Sequence, residues 1–139
     1  MDDGSDFYTF QKHKPNSGTR ITSSMEDYLE MICRLFKKQD IVRINELAEK
    51  LHVRPSSASK MVGNLKYSGL VTFEKYGYIK PTDSGFSVGE YLLYRHDVLN
   101  RLLCLINKSE NETEQVEKIE HFFDENTVRN IDKFLKSKI

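Results

Sequence analysis

A chain of 139 residues has room for one ordinary domain, or for two small ones that share a core. Its 38% hydrophobic and 11% aromatic content supports a packed interior, and its 30% charged content is not biased enough for disorder. No apolar run reaches the roughly 18 residues of a membrane span, and the first 20 residues lack an apolar signal core, so the expected location is the cytoplasm.

The formal net charge of zero conceals an asymmetry. Residues 24–81 carry ten Lys and Arg against seven Asp and Glu, whereas residues 82–139 carry eight against eleven. A basic half beside an acidic half suggests that only one of them meets phosphate. The two cysteines, Cys33 and Cys104, each fall inside an apolar helical pattern and read as free thiols in a reducing compartment.

Residues 1–23 are polar, with Gly, Ser and Pro throughout, and read as a flexible N-terminal arm. A first helix opens with Ser23 or Ser24 as N-cap and Glu26 and Asp27 in its first turn, and runs to about Lys38. Met25, Leu29, Ile32, Cys33 and Phe36 keep helical spacing along it. Ile44, Leu47, Ala48 and Leu51 then stripe a short helix, and His52-Val53-Arg54 connects it to the next. Pro55 suits the first turn of that helix, because its missing N–H is not needed there. Ala58, Met61, Val62 and Leu65 form its buried side and Gly69 ends it. Two short helices joined by a tight turn make a helix-turn-helix.

From Leu70 to Lys80 the chain is rich in β-branched and aromatic residues, with a turn near Lys75–Gly77, which predicts a two-stranded hairpin. A hairpin in that place is the wing of a winged helix-turn-helix. Thr82 or Asp83 caps a long helix reaching about Asn107, and helices over about 113–123 and 125–138 complete the chain. The expected fold is mainly α: a winged helix-turn-helix over 24–81, followed by a helical domain over 82–139.

Two surfaces carry candidate chemistry. On the second helix of the helix-turn-helix, Ser56, Ser57, Ser59, Lys60 and Asn64 lie off the apolar stripe. Such a face enters a major groove: hydroxyls and Lys meet phosphates, and Asn reads an adenine edge. Arg43 and Arg54 near the helix ends, and Lys75 and Tyr76 at the wing tip, are placed to touch the DNA backbone. Against this stands the plain reading that winged helices also bind proteins, and that these are ordinary solvated side chains.

The second surface is a set of hard donors. Asp27 and Glu30 share a face of the first helix; Glu117, Glu120 and His121 share one on the fifth; His96 sits inside the long helix. Four carboxylates and two imidazoles suffice for one or two divalent ions. Spacing alone leaves the opposite reading open, since Glu pairs at i and i+3 are common on solvated helices. No Gly-rich phosphate loop, nucleophile elbow or paired-cysteine zinc spacing occurs, so an enzyme is not expected.

Five segments together carry a resemblance. SMEDYLEMI at Ser24–Ile32, RPSSASKMVGNL at Arg54–Leu65, the wing FEKYGYIKPTDSG, YLLYRHDVL at Tyr91–Leu99 and VEKIEH at Val116–His121 resemble the diphtheria-toxin-repressor family, in its manganese-regulator branch. The match runs in order over about residues 22–138. It implies a homodimer that represses metal-uptake genes by binding a palindromic operator when loaded with Mn²⁺, with Fe²⁺, Co²⁺, Cd²⁺ or Zn²⁺ as substitutes.

Carried over by motif, Asp27, Glu30, His96 and Glu120 form one metal position, and Glu117, Glu120 and His121 a neighbouring one, with Glu120 shared. The iron-sensing branch has a methionine where this chain has Asp27, and an oxygen donor there suits Mn²⁺. The implied mechanism is a cation that offsets crowded carboxylates and orients the DNA-binding half against the dimer half. The competing expectations are a metal-independent winged-helix regulator and, from another class, a di-metal carboxylate enzyme. The latter needs Glu-x-x-His motifs on more helices than this chain supplies.

Overall fold

The computed structural model describes residues 21–74 and 77–138, which form two compact units, 21–91 and 92–138. The first unit contains α1 (Ser23–Phe36), β1 (Val42–Arg43), α2 (Ile44–Leu51), α3 (Pro55–Tyr67), β2 (Val71–Phe73) and β3 (Tyr78–Pro81). It also takes the opening residues of α4 (Asp83–Asn107), whose remainder belongs to the second unit with α5 (Thr113–Ile119), a 3-10 turn (Glu120–Phe122) and α6 (Glu125–Lys136). Among the described residues no helix is long and apolar enough to cross a membrane.

The cap of helix α1 lies one residue before the expected ones. Thr22 is the N-cap, and its hydroxyl accepts from the Met25 amide at 3.1 Å. Ile21, just before it, is already buried. Leu29, Ile32 and Cys33 of α1 share the core of this unit with Leu47 and Ala48 of α2 and Ala58, Val62 and Leu65 of α3. Met61, expected in that core, is half-buried. Between α2 and α3, His52 takes a left-handed conformation, and the Val53 amide returns to the Ala48 carbonyl, closing α2.

The predicted hairpin exists, but the sheet has a third strand. β3 pairs antiparallel with β2, Thr72 facing Lys80, and on its other edge with β1, Val42 facing Ile79. The wing therefore does not hang from α3 alone; β1 ties it to the residues that enter α2. Thr82 begins α4 as expected: its hydroxyl accepts from the Gly85 amide at 3.0 Å and donates to the Gly69 carbonyl at 2.7 Å.

In the second unit Val98 of α4 packs with Val128 and Leu135 of α6, flanked by Tyr94, Leu102, Phe123 and Ile131. A buried carboxylate crosses the same interface. Asp132 accepts from the Tyr94 hydroxyl at 2.6 Å and from Arg101 at 3.1 Å. The expected helix over 113–123 is interrupted: α5 ends at Ile119, and a 3-10 turn follows. Phe123 and Asp124 then take extended backbone, and Asp124 caps α6, accepting from the Thr127 amide at 2.8 Å.

Candidate metal centre and nucleic-acid interface

On α3, Ser56, Ser57, Ser59, Lys60 and Asn64 are all exposed, as is Arg54 immediately before the helix. The opposite side of α3 is occupied by Ala58, Val62 and Leu65, so burial of that stripe fixes which residues face outward. Lys75 and Tyr76 lie outside the described residues. Arg43, which its place near a helix end puts within reach of a DNA backbone, stacks its guanidinium on the Tyr78 ring, 4.7 Å from the centroid, across the β1–β3 pair. Lys66 reaches the Phe73 carbonyl at 3.4 Å, linking α3 to the wing strand.

The donors of α1 differ in environment. Asp27 is exposed, whereas Glu30 is 7% exposed and accepts from Arg34, one turn on, at 2.8 Å. Cys33, next on the buried side, is no soft ligand in waiting: burial, then Glu90, pushes its thiol up to about 12, although Lys37 opposes the shift.

In the second unit the 3-10 turn decides which donors meet. Glu120 and His121 have donor atoms within 4.8 Å of each other, and so do Glu120 and His96. Glu117, expected on the same face, is exposed, and α5 ends between it and Glu120. Glu120 is 1% exposed; its Oε1 lies 3.6 Å from His96 Nδ1 and 3.7 Å from Arg95 Nε. At those separations neither contact is a hydrogen bond, and that oxygen makes none among the described residues. A buried carboxylate oxygen left so is costly, and a hard cation beside two imidazoles is the chemistry that satisfies it. The residues of this unit thus fit a divalent metal.

Arg95 is the residue that spacing did not single out. It is 1% exposed and, besides Glu120, meets His121, with Nη2 3.5 Å from Nδ1.

Two family models match the chain, an "Iron dependent repressor, N-terminal DNA binding domain" over residues 20–79 and an "Iron dependent repressor, metal binding and dimerisation domain" over residues 82–137. The chain belongs to the iron-dependent repressor family. It carries that family's two domains, those of a metal-dependent transcriptional repressor. Its relatives lie in the manganese-regulator branch. It is 40% identical over 111 residues to the HTH-type transcriptional regulator MntR of Geobacillus kaustophilus (strain HTA426), covering 79% of each.

Among solved structures, a manganese-dependent transcriptional repressor in complex with manganese superposes with a TM-score of 0.74 at 29% identity, over 81% of this chain and 52% of that one. The manganese regulator SloR follows with a TM-score of 0.71 at 27% identity, over 81% and 53%. The chain spans about half the length of these two solved chains. A metal-independent regulator is not the reading these similarities favour.

Proposed function

We propose that this family member is a manganese-responsive repressor: as a homodimer loaded with Mn²⁺ it binds palindromic operator DNA and regulates genes of metal uptake. The observation that carries the reading is the buried Glu120 carboxylate, held beside His96 and His121 with an oxygen that has no hydrogen bond among the described residues. Asp27, Glu30, His96, Glu117, Glu120 and His121 are the proposed donors, for one or two ions with Glu120 shared. The set is oxygen-rich and free of thiolate and thioether, which suits Mn²⁺. The bound ion supplies the positive charge that offsets the donor carboxylates.

The chain's own residues do the rest. Glu120 and His121 are presented by the short 3-10 turn and His96 by α4, so these donors stand on regular backbone before an ion arrives. On α3, the serines and Lys60 are suited to phosphates and Asn64 to a base edge, with Arg54 beside them. Metal and operator favour the same dimer conformer, so each tightens the other's binding by the same factor.

The test is a Mn²⁺ titration of the purified protein by calorimetry, together with fluorescence anisotropy on DNA selected from a random pool. Operator affinity should rise steeply with Mn²⁺ and vanish when the ion is chelated. Affinity indifferent to chelation would overturn the proposal. Glu120→Ala should remove the metal dependence while the dimer persists on size exclusion.

A further inference from the structure

Along α4 the positions Val88, Leu92, Leu99, Leu102 and Ile106 follow one helical stripe, and Arg95 occupies the place between Leu92 and Leu99 where another apolar residue belongs. It is the largest fully buried side chain described. A guanidinium is charged at every accessible pH and costs several kcal/mol to bury without a partner, so its neighbours must account for it. Within this unit they are two of the proposed metal donors: Glu120 Oε1 at 3.7 Å and His121 Nδ1 at 3.5 Å.

We propose that Arg95 is the protein's built-in counter-cation, occupying the donors in the metal-free state and setting how tightly they take Mn²⁺; the inference rests on the metal-centre reading above. Two features carry it. First, Glu120 is as deeply buried as Arg95 and 3.7 Å from it, so each offsets part of the other's buried charge without a hydrogen bond that would tie up the carboxylate. Second, a guanidinium only donates, so its contact with His121 uses the Nδ1 lone pair. A divalent ion that takes that nitrogen must displace the contact, and it must also bind beside a fixed positive charge. Arg95 is therefore a positioning residue with a cost: it holds the donors assembled without metal and weakens the grip when metal arrives. A repressor that senses a nutrient cation gains from such weakening, since its threshold moves up to concentrations at which the supply is sufficient.

The experiment compares the full-length protein with Arg95→Met, Arg95→Lys, Glu120→Gln and the Arg95→Met/Glu120→Gln double variant. Each is melted in chelator and in saturating Mn²⁺, and Mn²⁺ affinity is measured by calorimetry. In chelator, Arg95→Met should melt about 10 °C lower than the parent, because a buried carboxylate loses its cation. The double variant should recover at least half of that loss, and Arg95→Lys should fall between. Mn²⁺ should raise the Tm of Arg95→Met by more than that of the parent, and bind it about tenfold more tightly or better.

A double variant no more stable than Arg95→Met, or unfolded alongside it, would show that Arg95 serves packing alone and would overturn the pairing. Unchanged or weaker Mn²⁺ affinity in Arg95→Met would overturn its role in setting the threshold. If the parent itself bound no Mn²⁺, the functional reading would fail, while the melts in chelator would still decide the Arg95–Glu120 coupling.

Discussion

Two glycines in helices offer the same substitution with opposite expected signs. A methyl group at Gly85, near the start of α4, would fall inside the Leu70 carbonyl, with the carbonyl carbon 2.8 Å away. The obstacle is backbone, fixed further because the Leu70 carbonyl accepts from the Thr82 amide at 3.0 Å. Overpacking of this kind costs about 3 kcal/mol or more where nothing can yield, against a gain of roughly 1 kcal/mol in helix propensity. At Gly63, within α3, a methyl group meets no described atom within 4 Å beyond its chain neighbours and the helix's own backbone, so only the gain of roughly 0.5–1 kcal/mol remains. For a chain of this length that is a rise of about 3 °C in Tm for Gly63→Ala and a fall of about 10 °C for Gly85→Ala. Thermal melts followed by circular dichroism, in chelator and at one protein concentration, measure both. A Gly85→Ala variant melting within 3 °C of its parent, or a Gly63→Ala variant melting lower, would refute the reasoning.

In a Cys104→Ser background, Cys33 is the one remaining thiol, and its raised value predicts no reaction with a disulfide reagent near pH 8 until denaturant is added. The same shift places a stability term that is complete below the unfolded thiol value of about 8.5 and is lost as pH rises toward about 12, which chemical melts of the parent and Cys33→Ala should resolve. Asp132 behaves oppositely: the Tyr94 hydroxyl, with Arg101 and Lys136 beside it, holds its carboxyl below the usual range against the effect of burial. Its contribution is present above the ordinary carboxylate value of about 3.9 and lost as pH falls, so the stability gap between the parent and Asp132→Asn should narrow between about pH 5 and pH 3. On DNA, Lys60→Ala should weaken binding to all sequences and reduce the salt slope by about one unit, whereas Asn64→Ala should chiefly relax sequence preference. Equal loss of preference in both would argue that α3 does not read bases.

Much of the fold is legible because its signals are local. The stripe Ile44, Leu47, Ala48, Leu51 and the proline at position 55 mark α2 and α3 to the residue, and the β-branched run after Gly69 marks the wing. Strand β1 was not legible: Val42 and Arg43 become a strand only because β3 offers them an edge. The 3-10 turn was equally hidden. Spacing within Glu117–His121 describes a regular helix, whereas the chain passes from α5 to a 3-10 turn after Ile119, with Glu117 exposed and Glu120 buried.

The sequence by itself determined the kind of protein: periodicity and turn chemistry act within a few residues, and five ordered motifs sufficed to name the family that the comparisons bear out. Tertiary structure alone decided which charges are buried together. Arg95 in YRHD reads as one more polar residue among charged neighbours, and its register among Leu92 and Leu99 was the one available hint. What makes it matter is the low dielectric around Glu120 and His121, a property of packing between segments some 25 residues apart that no local pattern encodes.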